Sequence, residues 1–257
     1  MYPNPLKQKI KSGELIFGTV LPAPSPRVAT AVCGADIDFL WIDTEHAPFG
    51  MESIETIPAL VRQTGVAPLI RVAWNDPSLI KKAYDVGAVA VMVPQVNTAE
   101  EAAKAVEYAF YPPLGQRGVS PNWPHLAGEN WMDVIKTANQ ETVLFVQIES
   151  EEAYNNLDEI AAVPGIDVLF VGPMDLSASL GVITETRHEK VLKVMEDVPK
   201  RMPADGPKIA TTLVNIDEMQ EKFRWGYTVM NVGSPLGYGV QALNGHIGTL
   251  KENPMGK

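Results

Sequence analysis

Short apolar runs recur along the whole chain, separated by segments whose apolar residues fall three and four apart. The runs occupy 16–21, 38–43, 68–72, 89–95, 143–149, 167–171, 208–213 and 227–232. Most are rich in Val, Ile, Leu and Phe without strict apolar–polar alternation. That is the pattern of parallel strands covered by helices on one side and packed on the other. Helical segments are expected at 25–34, 51–64, 78–86, 98–109, 151–163, 189–202 and 215–225. Gly34, Gly65 and Gly87 stand where helices stop, and Asp76-Pro77 reads as an N-cap with proline at the first helical position. Asn215 or Asp217 caps the last helix.

Eight strands alternating with helices imply a parallel sheet, and eight is the number that closes into a (β/α)8 TIM barrel. The alternative is an open doubly wound sheet. Its dinucleotide-binding form carries Gly-x-Gly-x-x-Gly after the first strand, which is absent here. A single domain over 1–257 is therefore expected. Two stretches break the rhythm. The connection 111–139 holds Pro112, Pro113, Pro121, Pro124, Trp123 and Trp131, and a connection of that length is expected to be a lid, a binding loop or a subunit contact. The tail 233–257 is rich in glycine and either finishes the barrel or reaches a neighbouring subunit.

Composition removes several classes of partner. A net charge of −10 over 257 residues, with no compensating basic stripe, argues against nucleic acid and against an anionic membrane surface. The one cysteine, Cys33, excludes an intrachain disulfide. Residues 1–14 are polar, with Pro3, Pro5, Lys7, Lys9 and Lys11, and resemble neither a secretory signal nor a membrane span. A cytoplasmic protein is expected.

Barrel enzymes place their chemistry where strands end and βα loops begin. Here the second strand runs into Asp43-Thr44-Glu45-His46, the third ends at Arg71, the fifth at Gln147-Ile148-Glu149, and the sixth leads into Gly172-Pro173-Met174-Asp175. Residues two apart in a strand share a face, so Asp43 and Glu45 point together, as do Gln147 and Glu149. Glu149 and Asp175 offer hard oxygen ligands suited to Mg2+ or Mn2+, with Co2+ a further candidate; the alternative is two carboxylates paired with lysine or arginine. His46 suits proton transfer near neutral pH, or simply donates to a backbone carbonyl. Arg71 either clamps a substrate carboxylate or bridges to Glu45 or Asp43. Gly172-Pro173 lets the backbone approach a ligand and exposes the N–H groups of Met174 and Asp175. The only lysine in any strand run is Lys208, at the wrong end for a Schiff base, so carbanion chemistry here requires a metal.

The strings Trp41-Ile-Asp-Thr-Glu-His-Ala-Pro48, Tyr111-Pro-Pro-Leu-Gly-Gln-Arg-Gly-Val119, Val146-Gln-Ile-Glu-Ser150 and Val171-Gly-Pro-Met-Asp-Leu-Ser-Ala-Ser-Leu-Gly181 resemble the metal-dependent (class II) pyruvate aldolase family. That family contains 4-hydroxy-2-oxoheptanedioate aldolase, 2-dehydro-3-deoxyglucarate aldolase and macrophomate synthase. The resemblance implies a barrel of the phosphoenolpyruvate/pyruvate-binding type, assembled as a homohexamer of swapped dimers. It implies a lyase that cleaves a 4-hydroxy-2-oxo acid into pyruvate and an aldehyde through a metal-stabilised enolate, with oxaloacetate decarboxylation as a companion activity. It assigns the metal to Glu149 and Asp175, and the pyruvate moiety to Gln147, the Met174 amide and Asp175, beside Gly172 and Pro173. It also assigns charge stabilisation to Arg71, the base to His46, and the raising of that base's strength to Asp85. Read from the residues alone, Asp85 is a surface helix residue.

The chain departs from the family at Met174, where a small residue is usual, in the segment 120–125 of the lid, and beyond Gly181. Two rival readings remain: a macrophomate-synthase-like enzyme that couples an oxaloacetate-derived enolate to a 2-pyrone, and a catalytically silent barrel acting as a binding protein.

Overall fold

All eight apolar runs form strands, and the strands close on themselves. In the computed structural model, which describes residues 4–255, β1 (Ile16–Val20), β2 (Phe39–Asp43), β3 (Ala67–Arg71), β4 (Ala90–Val93), β5 (Val143–Ile148), β6 (Val168–Val171), β7 (Lys208–Thr212) and β8 (Val229–Asn231) pair in sequence order. Every pair is parallel, and β8 returns to β1 with Gly18 opposite Asn231. The (β/α)8 barrel is the observed architecture.

Its interior is filled by alternate residues of the strands, among them Ile16, Phe39, Trp41, Leu69, Met92, Phe145 and Phe170. Gly18 is what admits Phe39, because a Cβ there would fall 2.2 Å from the Phe39 ring. A second apolar layer lies between the outer face of the strands and the helices.

Several expected helices are interrupted where a residue cannot continue the ladder. The segment 51–64 divides into Met51–Ile54 and Ile57–Gln63, with Pro58 in the first turn of the second piece. The segment 189–202 runs as Glu189–Asp197 and then tightens to a 3-10 turn, Val198–Arg201, at Pro199. The segment 151–163 divides at Asn156 into Glu151–Asn155 and Leu157–Ala161.

The polar amino-terminal stretch contains a helix, Pro5–Ser12, capped by Asn4 through the N–H groups of Leu6 and Lys7. It stoppers the end of the barrel where the strands begin. Leu6 and Ile10 are buried in the same cluster as the barrel interior. Lys7 Nζ reaches the carbonyl of Thr142 at 2.8 Å and Asp167 Oδ1 at 2.6 Å, so a lysine that reads as solvated is an anchor. Leu6→Ala is expected to lower stability by about 2–5 kcal/mol, the usual result of emptying a leucine site in a core, measured by denaturant unfolding. A change under about 0.5 kcal/mol would mean that the helix does not seal the barrel.

The connection 111–139, expected as a lid, a binding loop or a subunit contact, lies at that same end of the barrel, away from the mouth of its own chain. The helix Ala99–Ala109 carries the chain away from the mouth, and the connection then forms two helices, Trp123–Ala127 and Trp131–Glu141, before β5 begins. Its contacts include groups at the end of the barrel where the strands start. The Arg62 guanidinium lies 3.7 Å from the Trp123 ring centre and donates to the carbonyl of Gly87 at 2.6 Å. Asn4 Nδ2 donates to the carbonyl of Glu141 at 2.8 Å. A right-handed βα unit returns its chain to the far end of the barrel, so this loop cannot cover the site of its own chain.

The glycine-rich tail is an 18-residue helix, Pro235–Glu252, with no buried residue. Leu236, Val240, Leu243, Ile247 and Leu250 are all exposed on it, at alternating spacings of four and three, the seam of a helix that packs on something. Beside it an apolar groove of about 610 Å³ is lined by Val28, Val32, Ile37, Val232, Leu236 and Tyr238. Among the described residues, no helix is long and apolar enough to cross a membrane.

Candidate active site

The charged residues at the ends of β2, β3 and β5 meet at one mouth. Asp43 ends β2, and its Oδ1 accepts the N–H groups of Glu45 at 3.1 Å and His46 at 3.4 Å, a turn that folds the loop back over the strand end. Thr44 ties this turn to β3 by donating its N–H and hydroxyl to the carbonyl of Arg71 at 3.0 and 2.6 Å.

Arg71 is only 7% exposed and sits at the centre. Its Nε and Nη2 form a fork with Asp43 at 2.9 and 2.6 Å, and its Nη1 lies 2.9 Å from Glu45 Oε2 and 3.4 Å from Gln147 Oε1. The open question about Arg71 thus resolves toward the ion pair. The fork needed for a bidentate grip on a substrate is taken by Asp43, and Nη1 is shared between Glu45 and Gln147. Burial pushes the Asp43 carboxyl up, but Arg71 outweighs it and holds Asp43 below the usual range.

Glu149 and Gln147 share a face, as strand alternation requires. Glu149, 3% exposed, accepts the Gln147 amide on Oε2 at 2.6 Å and the backbone N–H of Gln95 on Oε1 at 2.8 Å. Burial, joined by the neighbouring carboxylates of Asp175 and Glu45, pushes the Glu149 carboxyl up to about 7. Burial also raises Glu45, against the pull of Arg71.

Asp175 stands in the first turn of a helix, Pro173–Ser179, opened by Gly172 and Pro173. The need for glycine at 172 is steric: a Cβ there would lie 2.9 Å from Glu149 Oε2 and 3.1 Å from Glu149 Cβ. Gly172→Ala is accordingly expected to push the Glu149 carboxylate aside, with at least about a tenfold loss of turnover at little change in melting temperature. Unchanged kinetics would show that the Glu149 position is not critical. Met174 is 53% exposed on the rim of the mouth.

His46 is also on the rim, 62% exposed, with Nε2 3.9 Å from Glu45 Oε2. Asp85 is not brought to it within the chain. It ends the helix Pro77–Asp85 at the far end of the barrel, beside Tyr84, whose hydroxyl donates to the carbonyl of Val143 at 2.9 Å. There Asp85 is half-buried rather than a solvated surface residue. Burial pushes it up to about 6 against Arg117 and Lys81.

Among the described residues, no three His, Cys, Asp or Glu side chains converge as a ready-made metal cage. The donor set nonetheless fits a hard divalent cation. Asp43 and Glu45 pair with Arg71, and Glu149 is pushed up by burial, with the carboxylates of Asp175 and Glu45 adding to the shift against the pull of Arg71. Mg2+ is typically held by one or two protein carboxylates with water and substrate completing its shell, which is what Glu149 and Asp175 can provide. Gln95 lies in an apolar run, 89–95, that has the pattern of a strand to its end. The structure ends β4 at Val93, and Pro94, which cannot donate to a ladder, was the signal for that.

The 2-keto-3-deoxy-L-rhamnonate aldolase of Escherichia coli (strain K12) is 36% identical over 234 residues, covering 90% of this chain and 86% of that protein. The crystal structure of an HpcH/HpaI aldolase/citrate lyase family protein from Burkholderia cenocepacia J2315 superposes with a TM-score of 0.90 at 30% identity, covering 96% of this chain and 99% of the other. Macrophomate synthase superposes with a TM-score of 0.84 at 25% identity, covering 96% and 89%. The family model for HpcH/HpaI aldolase/citrate lyase matches residues 17–242, and the chain belongs to that family of enzymes.

Proposed function

We propose that this enzyme is a metal-dependent aldolase that cleaves a 4-hydroxy-2-oxo acid into pyruvate and an aldehyde. The observation that carries the reading is the carboxylate excess at the mouth, with the Glu149 carboxyl pushed up to about 7 beside Asp175. Glu149 and Asp175 would hold Mg2+ or Mn2+, with Co2+ a further candidate. A divalent cation there would supply a Lewis acid to the bound substrate.

The chain's own residues do the rest. Gln147 and the N–H groups of Met174 and Asp175 orient the pyruvate moiety next to Gly172 and Pro173. His46 takes the proton of the 4-hydroxyl, the C3–C4 bond breaks, and its electron pair passes into the enolate of pyruvate. The Nη1 edge of Arg71 faces the developing negative charge. Protonation at C3 then releases pyruvate. Loss of CO2 from oxaloacetate yields the same enolate, so decarboxylation is an expected companion.

Asp85 would strengthen His46 only from a neighbouring copy, since it lies at the other end of its own barrel; the segment 120–125 lies beside it, with the N–H of Asn122 donating to the Asp85 carbonyl at 2.9 Å. A homo-oligomer, a hexamer by resemblance, would bring these groups to a mouth and cover the helix Pro235–Glu252. The unpaired Cys33 suits a reducing compartment, so the cytoplasm is the proposed location.

The test is pyruvate release from 4-hydroxy-2-oxo acids, beginning with 2-keto-3-deoxy-L-rhamnonate, followed through lactate dehydrogenase with and without EDTA. Chelator-sensitive release is expected. Turnover that survives complete chelation overturns the metal reading, and no pyruvate from any such acid overturns the aldolase. The likeness to macrophomate synthase supports a second reading, coupling of oxaloacetate-derived enolate to a 2-pyrone. A product that requires the pyrone would favour it; the greater identity to the rhamnonate aldolase favours the first.

A further inference from the structure

We propose that Asn97 is a positioning residue for Glu149, acting through the left-handed backbone of Gln95. The proposal rests on the reading of Glu149 as a metal ligand. Gln95 follows β4 with φ +54, a conformation that L side chains rarely adopt, and among the described residues only Thr184 shares it outside glycine. That conformation aims the Gln95 N–H at Glu149 Oε1, 2.8 Å away. Strained backbone of this kind persists only where its surroundings over-determine it.

Here the surroundings are Asn97. Its Nδ2 donates to the Gln95 carbonyl at 3.3 Å, and its Oδ1 accepts the hydroxyl of Ser150. Its backbone is held as well: the N–H donates to Glu101 Oε2 at 2.7 Å, and the carbonyl accepts Asn156 Nδ2 at 2.8 Å. Every polar group of Asn97 is thereby engaged. Ser150 is the covalent neighbour of Glu149, so the hydrogen bonds close a ring: Glu149 to Gln95, Gln95 to Asn97, Asn97 to Ser150, and back through the chain to Glu149.

The ring joins the ends of β4 and β5 and fixes the carboxylate from Oε1 while Gln147 fixes it from Oε2. Each oxygen then keeps a lone pair for a cation, at an orientation set before the cation arrives. Partners of this second kind commonly govern metal affinity without touching the metal.

The experiment titrates the metal-free protein with Mn2+, reading free Mn2+ by electron paramagnetic resonance, with no turnover involved. Asn97→Ala is expected to weaken Mn2+ binding about tenfold and to speed hydrogen exchange in the peptide spanning 94–97, at a melting temperature close to the parent's. Two changes at 95 isolate the backbone. Gln95→Val, β-branched and unsuited to positive φ, should lose affinity like Asn97→Ala; Gln95→Gly, which adopts that φ freely, should hold it. Parent-like affinity in both Asn97→Ala and Gln95→Val overturns the proposal, as does equal loss in Gln95→Val and Gln95→Gly. Losses that merely track a falling melting temperature overturn it too. A parent chain that binds no Mn2+ removes the metal reading itself, whereas a parent that binds while its variants match it removes only the ring.

Discussion

Glu149→Ala should abolish metal-dependent pyruvate release, with turnover falling at least about 1000-fold. Lewis-acid stabilisation of a developing oxyanion is worth several kcal/mol, and each 1.36 kcal/mol is tenfold in rate. Glu149→Gln should fail equally while keeping the side chain's volume, which separates loss of the ligand from loss of packing. The pH dependence of the parent carries the same information. Burial and the carboxylates of Asp175 and Glu45 raise the folded-state value from its ordinary 4.5 to about 7, so metal-free protein holds a proton on Glu149 that the cation must displace. Mn2+ affinity should therefore rise about tenfold per pH unit toward pH 7 and level off above it. The same shift makes this group a burden on the metal-free fold: its contribution to stability falls as pH rises from about 4.5 to about 7, where the unfolded chain has released a proton that the folded chain retains. Glu149→Gln should flatten that fall. Affinity independent of pH from 5 to 7 would mean that Glu149 does not exchange a proton for the metal.

Deleting residues 235–257 should leave the proposed oligomer unable to form. The helix Pro235–Glu252 leaves Leu236, Val240, Leu243, Ile247 and Leu250 exposed in one stripe, and burying each large aliphatic side chain is worth about 1.5–3 kcal/mol. Within one chain the stripe stays exposed, and the apolar groove beside the start of the helix, lined by Val28, Val32, Ile37 and Val232, is open to the helix of a second copy. Light scattering should find an oligomer for the parent and monomer or aggregate for the deletion. Leu243→Glu with Leu250→Glu should do the same without shortening the chain, by placing two charges in the seam. A parent already monomeric at micromolar concentration, or a deletion that keeps the parent's mass multiple, would show that the helix does not join copies. If Asp85 serves His46 across that boundary, the dissociated chain should also lose turnover.

The barrel was legible because each strand must hide both faces, which writes a continuous apolar run into the sequence. All eight runs marked strands to within a residue or two. The mouth was legible for a related reason. In a barrel, the last inward position of a strand is where a charge reaches solvent and ligand together, so Asp43, Arg71, Gln147, Glu149 and Asp175 were marked by position as much as by type. Breaks at Pro58 and Pro199 carried a local signal as well. The helix Pro235–Glu252 was hidden behind its glycines, although the four-and-three spacing from Leu236 to Leu250 was present in the tail.

The chain alone thus determined the number of strands, the closure of the sheet and the side chains that crowd its carboxyl end, because periodicity and strand-end position are local properties. Tertiary structure alone decided how those side chains are spent. It gave the fork of Arg71 to Asp43, put the connection 111–139 and Asp85 at the opposite end from His46, and turned Lys7 and Leu6 into a stopper. It also bent Gln95 to face Glu149. These outcomes depend on which groups meet across strands distant in sequence, and on a low-dielectric interior that makes each meeting matter; no spacing rule along the chain encodes either.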